Sequence, residues 1–290
     1  MSATFEIPGA ESMRLSGQGV TLHVIAAGPA KGRLVVLLHG FPEFWYGWRR
    51  QIEPLAAAGF RVLAPDQRGY NLSDKPAAIG AYALALLAGD VLRAADAMGR
   101  ERFAVVGHDW GGLVAWHLAA HHPERIERAA VLNAPNPQTA GSYLLSHPRQ
   151  MARSWYALMF QIPVLPEWAM RAGDFAWLRR ALAGSSRPGT FGEEEFRRYR
   201  DAWAQPGALT AMVNWYRALP RHRPSDGSLR IEVPLRVIWG DRDRFLEQGL
   251  AEAGLRSCDR GHAVHLPEAT HWLHHEEPAK VNRLLLEFLR

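Results

Sequence analysis

The chain has 290 residues, 48% hydrophobic and 22% charged, with a formal net charge of +5, a balance ordinary for a globular protein. No apolar run approaches the roughly 18 residues that span a bilayer, so no membrane-spanning helix is expected. The single cysteine, Cys258, excludes an internal disulfide, and the first residues lack the basic and apolar regions of a secretory signal, so a cytoplasmic location is expected.

In chain order, short apolar runs predict strands at Val20–Ala26, Leu34–Leu38, Arg61–Pro65, Phe103–Val106, Ala129–Leu132, Leu235–Trp239 and Ala263–Leu266. Between them, helical spacing predicts helices over Trp45–Ala58, Ala83–Met98, Gly111–His121, Leu246–Gly254 and Pro278–Leu289. Strands alternating with helices imply an α/β fold with a mostly parallel sheet covered on both faces. From Asn136 to about Asp226 the strand signal disappears, and Trp-, Arg- and Ala-rich helices broken by Pro163, Pro166, Pro188 and Pro206 take its place. The expected organisation is therefore a core of residues 1–136 and 227–290 interrupted by a helical lid of residues 137–226. Between Arg149 and Arg223 stand twelve Arg, no Lys and six acids, which places the basic surplus in this segment. Trp155, Trp168, Trp177 and Trp203 are interleaved with it and read as packing residues. No nucleic-acid motif accompanies them, so a solvated basic face is expected rather than a nucleic-acid partner. Weak attraction to anionic surfaces stays open.

The chemistry concentrates where the run Phe103–Val106 gives way to Gly107-His108-Asp109-Trp110-Gly111-Gly112 and then to a helix. Strand, G-x-nucleophile-x-G, helix is the nucleophile elbow of an α/β-hydrolase, here with Asp109 in place of the usual Ser. A serine attacking saturated carbon would leave an ether that such a site cannot cleave, whereas a carboxylate leaves an alkyl ester that water can hydrolyse. Asp109 therefore argues for substitution at an epoxide or carbon–halogen carbon. The alternative for an isolated G-x-D-x-G is an Asp that merely caps the following helix. His39-Gly40-Phe41-Pro42 follows an earlier strand, and the amides of Phe41 and Trp110 are the expected oxyanion hole, with a cis Phe41–Pro42 bond open to the chain. His39, Pro42 and His108 are expected to line or support the pocket. A base is expected after the last strand, and His271 lies nearest its end, ahead of His274 and His275; the acid partner lies in Gly240-Asp241-Arg242-Asp243. No H-E-x-x-H motif or clustered carboxylate pattern links the thirteen histidines, so neither a metal nor a cofactor is expected.

Taken together, His39-Gly-Phe-Pro-Glu43-Phe-Trp-Tyr-Gly-Trp48, Asp66-Gln-Arg-Gly-Tyr70, Gly107-His-Asp-Trp-Gly111, Leu132-Asn-Ala-Pro135, Gly240-x-x-Asp243 and His271-Trp272 resemble the α/β-hydrolase-fold epoxide hydrolases over nearly the whole chain. The resemblance implies Asp243 as the acid and adds two lid tyrosines, Tyr156 four residues before Phe160-Gln161 and Tyr216 in Asn214-Trp-Tyr-Arg217. Neutral phenols suit the chemistry, since an opening epoxide develops charge on oxygen that an O–H donor can hold. The chain departs from relatives at Asn71, where Gly is common; Asn tolerates left-handed backbone. The implied activity is conversion of a hydrophobic epoxide and water to a diol through an Asp109 ester hydrolysed with His271 and Asp243, and a homodimer is left open. The alternatives are a haloalkane or haloacid dehalogenase with the same triad, and a ligand-binding receptor-like protein on a hydrolase scaffold. Neither accounts for the tyrosine pair and an intact triad together.

Overall fold

The computed structural model describes residues 7–221 and 229–290; the expected boundary at 226/227 and residues 1–6 of the N-terminal stretch read for a signal lie outside them. Among the described residues, β1 (Glu11–Ser16), β2 (Thr21–Ala27), β3 (Leu34–Leu38), β4 (Arg61–Pro65), β5 (Phe103–His108), β6 (Ile126–Leu132), β7 (Leu235–Gly240) and β8 (Gly261–Leu266) form one sheet in the order β1-β2-β4-β3-β5-β6-β7-β8. β2 runs antiparallel to β1 and β4, and the remaining neighbours are parallel. β3 is continuously apolar because both faces are covered, and in β4, β6 and β7 the charged residues Arg61, Glu127, Arg128 and Arg236 stand only near the strand starts. In β3, Val35 and Leu37 enter one core while Leu34, Val36 and Leu38 enter the other, all five fully buried.

Seven strands are expected, and β1 is the eighth. Only Met13 and Leu15 in it are half-buried, and its other four residues are exposed. An edge strand with one solvated face needs little apolar sequence, which is why the pattern hides it.

Before the insertion lie α1 (Arg49–Ala57), α2 (Leu84–Ala97) and α3 (Trp110–His121). α1 packs one core with Ile52 and Leu55; α2 and α3 cover the opposite face. Ten of the twelve residues of α3 are buried, so it is a central helix rather than an amphipathic one. Between β6 and β7 come α4 (Pro137–Ser146), α5 (Pro148–Arg153), α6 (Trp155–Met159), α7 (Leu165–Ser185), α8 (Glu193–Trp203) and α9 (Ala208–Ala218), with no strand among the described residues there. Asn136 caps α4 by accepting the Gln138 N–H at 2.9 Å. α8 opens on three glutamates at the positive end of its dipole, and Glu195 accepts the Gly192 N–H at 3.0 Å. α7 is broken at 172–175, where Gly173, Asp174 and Phe175 have φ of 59°, 56° and 62°. After β7 follow α10 (Gly249–Leu255), α11 (Leu273–Glu276) and α12 (Pro278–Leu289), the last burying Val281 and Leu285 beside α1.

The expectation that the insertion's tryptophans pack inward needs correction. Trp203 is buried, but Trp155 and Trp168 are 57% and 68% exposed. Tyr156 and Phe160, one turn apart, take the inner side of this stretch and leave Trp155 and Leu158 facing outward. Asn71 does adopt the left-handed backbone, at φ 39°, and its Nδ2 donates to Asp66 Oδ2 at 2.8 Å.

Candidate active site

Asp109 stands between β5, in the middle of the sheet, and α3, with φ 51° and ψ −119°. A non-glycine residue at positive φ is uncommon, and here it projects the side chain off the end of the sheet. Two glycines make the turn fit. A Cβ on Gly107 would lie 2.1 Å from the Gly111 carbonyl oxygen, and one on Gly111 would lie 2.1 Å from the Leu38 oxygen and 2.7 Å from that of His39. Both obstacles are backbone, so neither can swing aside. Gly111→Ala is expected to cost at least about 2–3 kcal/mol by driving α3 away from β3. Urea unfolding measures that cost, and a midpoint equal to that of the unsubstituted chain would contradict it.

The helix-capping alternative for Asp109 fails on geometry, because its side chain makes no cap hydrogen bond to α3. The Phe41 amide donates to Asp109 Oδ1 at 2.8 Å instead, reaching across from the loop after β3, and the Phe41–Pro42 peptide is cis. Trp110 opens α3, where backbone amides have no intrahelical acceptor. These two loops meet because β3 and β5 are neighbours, with Leu38 opposite Gly107.

From the loops after β7 and β8 come Asp243 and His271. His271 Nδ1 is 2.7 Å from Asp243 Oδ2, and Nε2 is 3.6 Å from Asp109 Oδ2. Asp243 is fixed on all sides: Oδ1 accepts from the amides of Phe245 and Leu246 at 2.7 and 3.0 Å, and Oδ2 also accepts from Asn133 Nδ2 at 2.6 Å. Burial pushes the Asp243 carboxyl up, but the His271 charge and these donors hold it below its ordinary range. Burial likewise lowers His271; Asp243, and behind it Asp109, outweigh that and lift the imidazole to about 9. The preference for Asp243 over Asp241 fits these contacts, since Asp241 Oδ1 faces His265 at 2.6 Å.

Asp109 and His271 open into a cavity of about 650 Å³ whose other walls include Phe41, Tyr156, Phe160 and Tyr216. The Tyr156 and Tyr216 rings lie 6.0 Å apart in an edge-on arrangement. Tyr216 also meets the Trp110 ring edge-on at 4.8 Å. Both phenols are raised above their ordinary value, first by burial and then by the Asp109 charge. They are therefore neutral donors at pH 7. Pro42 lines the same cavity, whereas His39 and His108 are fully buried and absent from its walls. His39 Nε2 accepts the Gln67 amide at 3.0 Å, and His108 Nε2 lies 2.9 Å from the His271 carbonyl oxygen.

Sequence spacing does not reveal what lies behind His271. Glu43 is a buried carboxylate whose Oε1 accepts from Tyr199 at 2.5 Å and His275 at 2.7 Å, while Oε2 lies 3.4 Å from His108 and 3.3 Å from His274. Burial raises its carboxyl, yet His275 and the surrounding imidazoles hold it well below the usual range. Glu43, His108 and His274 are the group among the described residues whose donor atoms come close enough to hold a metal ion. They come from three distant parts of the chain, so no spacing pattern could show them. Asn133 is the second residue not singled out for a role. At φ 39°, it bonds to both Asp243 and the Gly240 backbone, and only its place after a strand end hints at that.

The chain matches the alpha/beta hydrolase fold family over residues 33–278. It is 48% identical to the AB hydrolase superfamily protein YfhM of Bacillus subtilis across 97% of this chain and 99% of that one. Epoxide hydrolase 4 of Mus musculus is 36% identical over 96% of this chain and 79% of its own length. Among solved structures, an epoxide hydrolase of Bacillus megaterium in complex with an inhibitor superposes with a TM-score of 0.87 at 28% identity, covering 96% of this chain and 99% of that one.

Proposed function

The chain belongs to the α/β-hydrolase-fold epoxide hydrolase family, and from that premise we propose that it hydrolyses an apolar epoxide to a vicinal diol without a cofactor. Asp109 attacks one ring carbon, the C–O bond breaks, and the leaving oxygen takes a proton from Tyr156 or Tyr216. The phenolate is then reprotonated at the expense of the His271 imidazolium, which becomes the neutral base. His271 next takes a proton from water as the hydroxide adds to the ester carbonyl carbon. The amides of Phe41 and Trp110 hold the resulting oxyanion. Collapse releases the diol, whose alkoxide recovers the proton of the added hydroxyl. Asp109 returns as carboxylate and His271 as imidazolium, so one epoxide and one water balance one diol. We read α4–α9 as a lid, since Tyr156, Phe160 and Tyr216 face Asp109 and His271 across the cavity. An apolar enclosure strengthens each of these contacts by excluding bulk water.

The observation that carries this reading is two neutral phenols sharing one cavity with a carboxylate and its paired imidazole. Tyr156→Phe and Tyr216→Phe are each expected to slow ring opening about tenfold or more, and the double variant about 10²–10⁴-fold. Diol formation in single turnover, with halide release from haloalkanes assayed alongside, measures this. Halide release without diol formation, or a double variant as fast as the unsubstituted chain, overturns it.

A further inference from the structure

The outer side of the insertion is unlike the rest of the surface. Of eleven exposed large hydrophobic side chains among the described residues, eight fall within 145–168. Leu158, Val164 and Trp168 are 68–74% exposed, and Trp155 is 57% exposed. An apolar surface concentrated in one segment in this way marks a contact face, since scattered single residues are the norm elsewhere. The same stretch is cationic. Arg149 and Arg171 are exposed with no carboxylate partner among the described residues, and Arg153 donates only to the backbone carbonyls of Asp243 and Leu246. Residues 137–166 contain no acid at all. Beyond them, Glu167 is held by Arg217 at 2.6 and 3.1 Å and Asp174 by Arg200 at 3.0 Å. The face therefore offers apolar side chains, two tryptophans and unneutralised guanidinium groups.

We propose that this face docks reversibly on an anionic lipid surface. Arginine beside exposed Trp and Leu is the composition that settles at a headgroup boundary, with the apolar groups entering the acyl layer and the cations meeting lipid phosphate or carboxylate. A second copy of the chain fits less well. Self-association through this face would set Arg149, Arg153 and Arg171 near the same residues of the partner, with no free acid to offset them. Trp155 and Arg153 also form part of the cavity wall, so the mouth opens on the docking face. An apolar substrate dissolved in the lipid would enter without crossing bulk water. That last consequence rests on the proposed epoxide chemistry, whereas the docking itself does not.

Co-sedimentation of the full chain with vesicles tests it, comparing phosphatidylcholine alone with an equimolar mixture of phosphatidylcholine and phosphatidylserine at low salt. The mixed vesicles are expected to bind about tenfold more protein. Leu158→Ser with Trp168→Ser is expected to reduce that binding about tenfold, and Arg149→Glu with Arg171→Glu to remove the preference for phosphatidylserine. Leu72→Ser, at an exposed hydrophobic position outside the segment, leaves binding unchanged. These positions are exposed, and circular dichroism confirms folding. Failure of the unsubstituted chain to sediment with mixed vesicles overturns the proposal, as does unaltered binding of both double variants. A dimer in sedimentation equilibrium that the same variants dissociate, without vesicle binding, also overturns it in favour of a second copy. Vesicle binding is read without turnover, so loss of the epoxide reading and loss of this one are separate results.

Discussion

Asp109→Asn is expected to lower steady-state diol formation on the order of 10⁴-fold or more, with little change in the urea midpoint. The large loss follows from what an amide cannot do: it is a poor nucleophile toward saturated carbon, and the turn holds no second carboxylate that could replace it. The small stability change follows from isosterism. The Asn side-chain oxygen can still accept the Phe41 amide that Asp109 Oδ1 now accepts at 2.8 Å, and the positive φ of 51° suits Asn as well as Asp. An intact-mass check excludes deamidation back to Asp. The complementary experiment uses the unsubstituted protein in ¹⁸O-labelled water. In the first turnover the new oxygen of the diol comes from Asp109, and the label enters the protein carboxylate. Unlabelled protein after several turnovers, or an Asn variant that turns over at the original rate, removes the covalent route.

The parts of this architecture visible in the sequence are those where local chemistry and global position agree. β3 is buried on both faces and apolar from end to end, β4 is apolar from Val62 onward, and both observed strands coincide with the expected ones. The turn at Asp109 is legible because Gly107 and Gly111 have no substitute there: the atoms that would meet a Cβ are backbone oxygens. What stays hidden needs either an exposed face or a long-range meeting. β1 escapes notice because an edge strand can alternate Arg14 and Ser16 with Met13 and Leu15 and still pair along its length with β2. The break in α7 holds Gly173, Asp174 and Phe175 at positive φ, and a single glycine followed by a phenylalanine within helical spacing does not mark such a break. The Glu43 cluster brings together side chains from the loop after β3, the end of β5 and α11, so only the folded sheet reveals it. Trp155 and Trp168 mislead for a different reason. Helical spacing identifies a stripe but not which side of it meets the core, and an apolar outer face reads like an inner one.

His271→Gln separates the two halves of the cycle, and its expected result is a stalled adduct. Ring opening needs Asp109 and the phenols but no base, so the ester still forms and the protein gains the mass of one epoxide. Hydrolysis then slows by about 10²–10⁴-fold, because glutamine cannot take a proton from water. The titration of His271 adds a test with a definite sign. Burial lowers its pKa, but the Asp243 and Asp109 charges prevail and raise it from 6.5 to about 9. A group raised in the folded state contributes stability that is complete below its unfolded value and lost as the pH climbs through the folded one. The unsubstituted protein should therefore lose stability between pH 6.5 and about 9, and His271→Gln should lose less across the same interval. Forming the ester erases the Asp109 charge, removing one of the interactions that keep the proton on the imidazole, so the base is released when water must be activated. Hydrolysis of a preformed adduct should accordingly slow as the pH is lowered and the imidazole is held protonated. A His271→Gln protein that shows no adduct by mass, or that hydrolyses its ester at the original rate, sinks the assignment of the base.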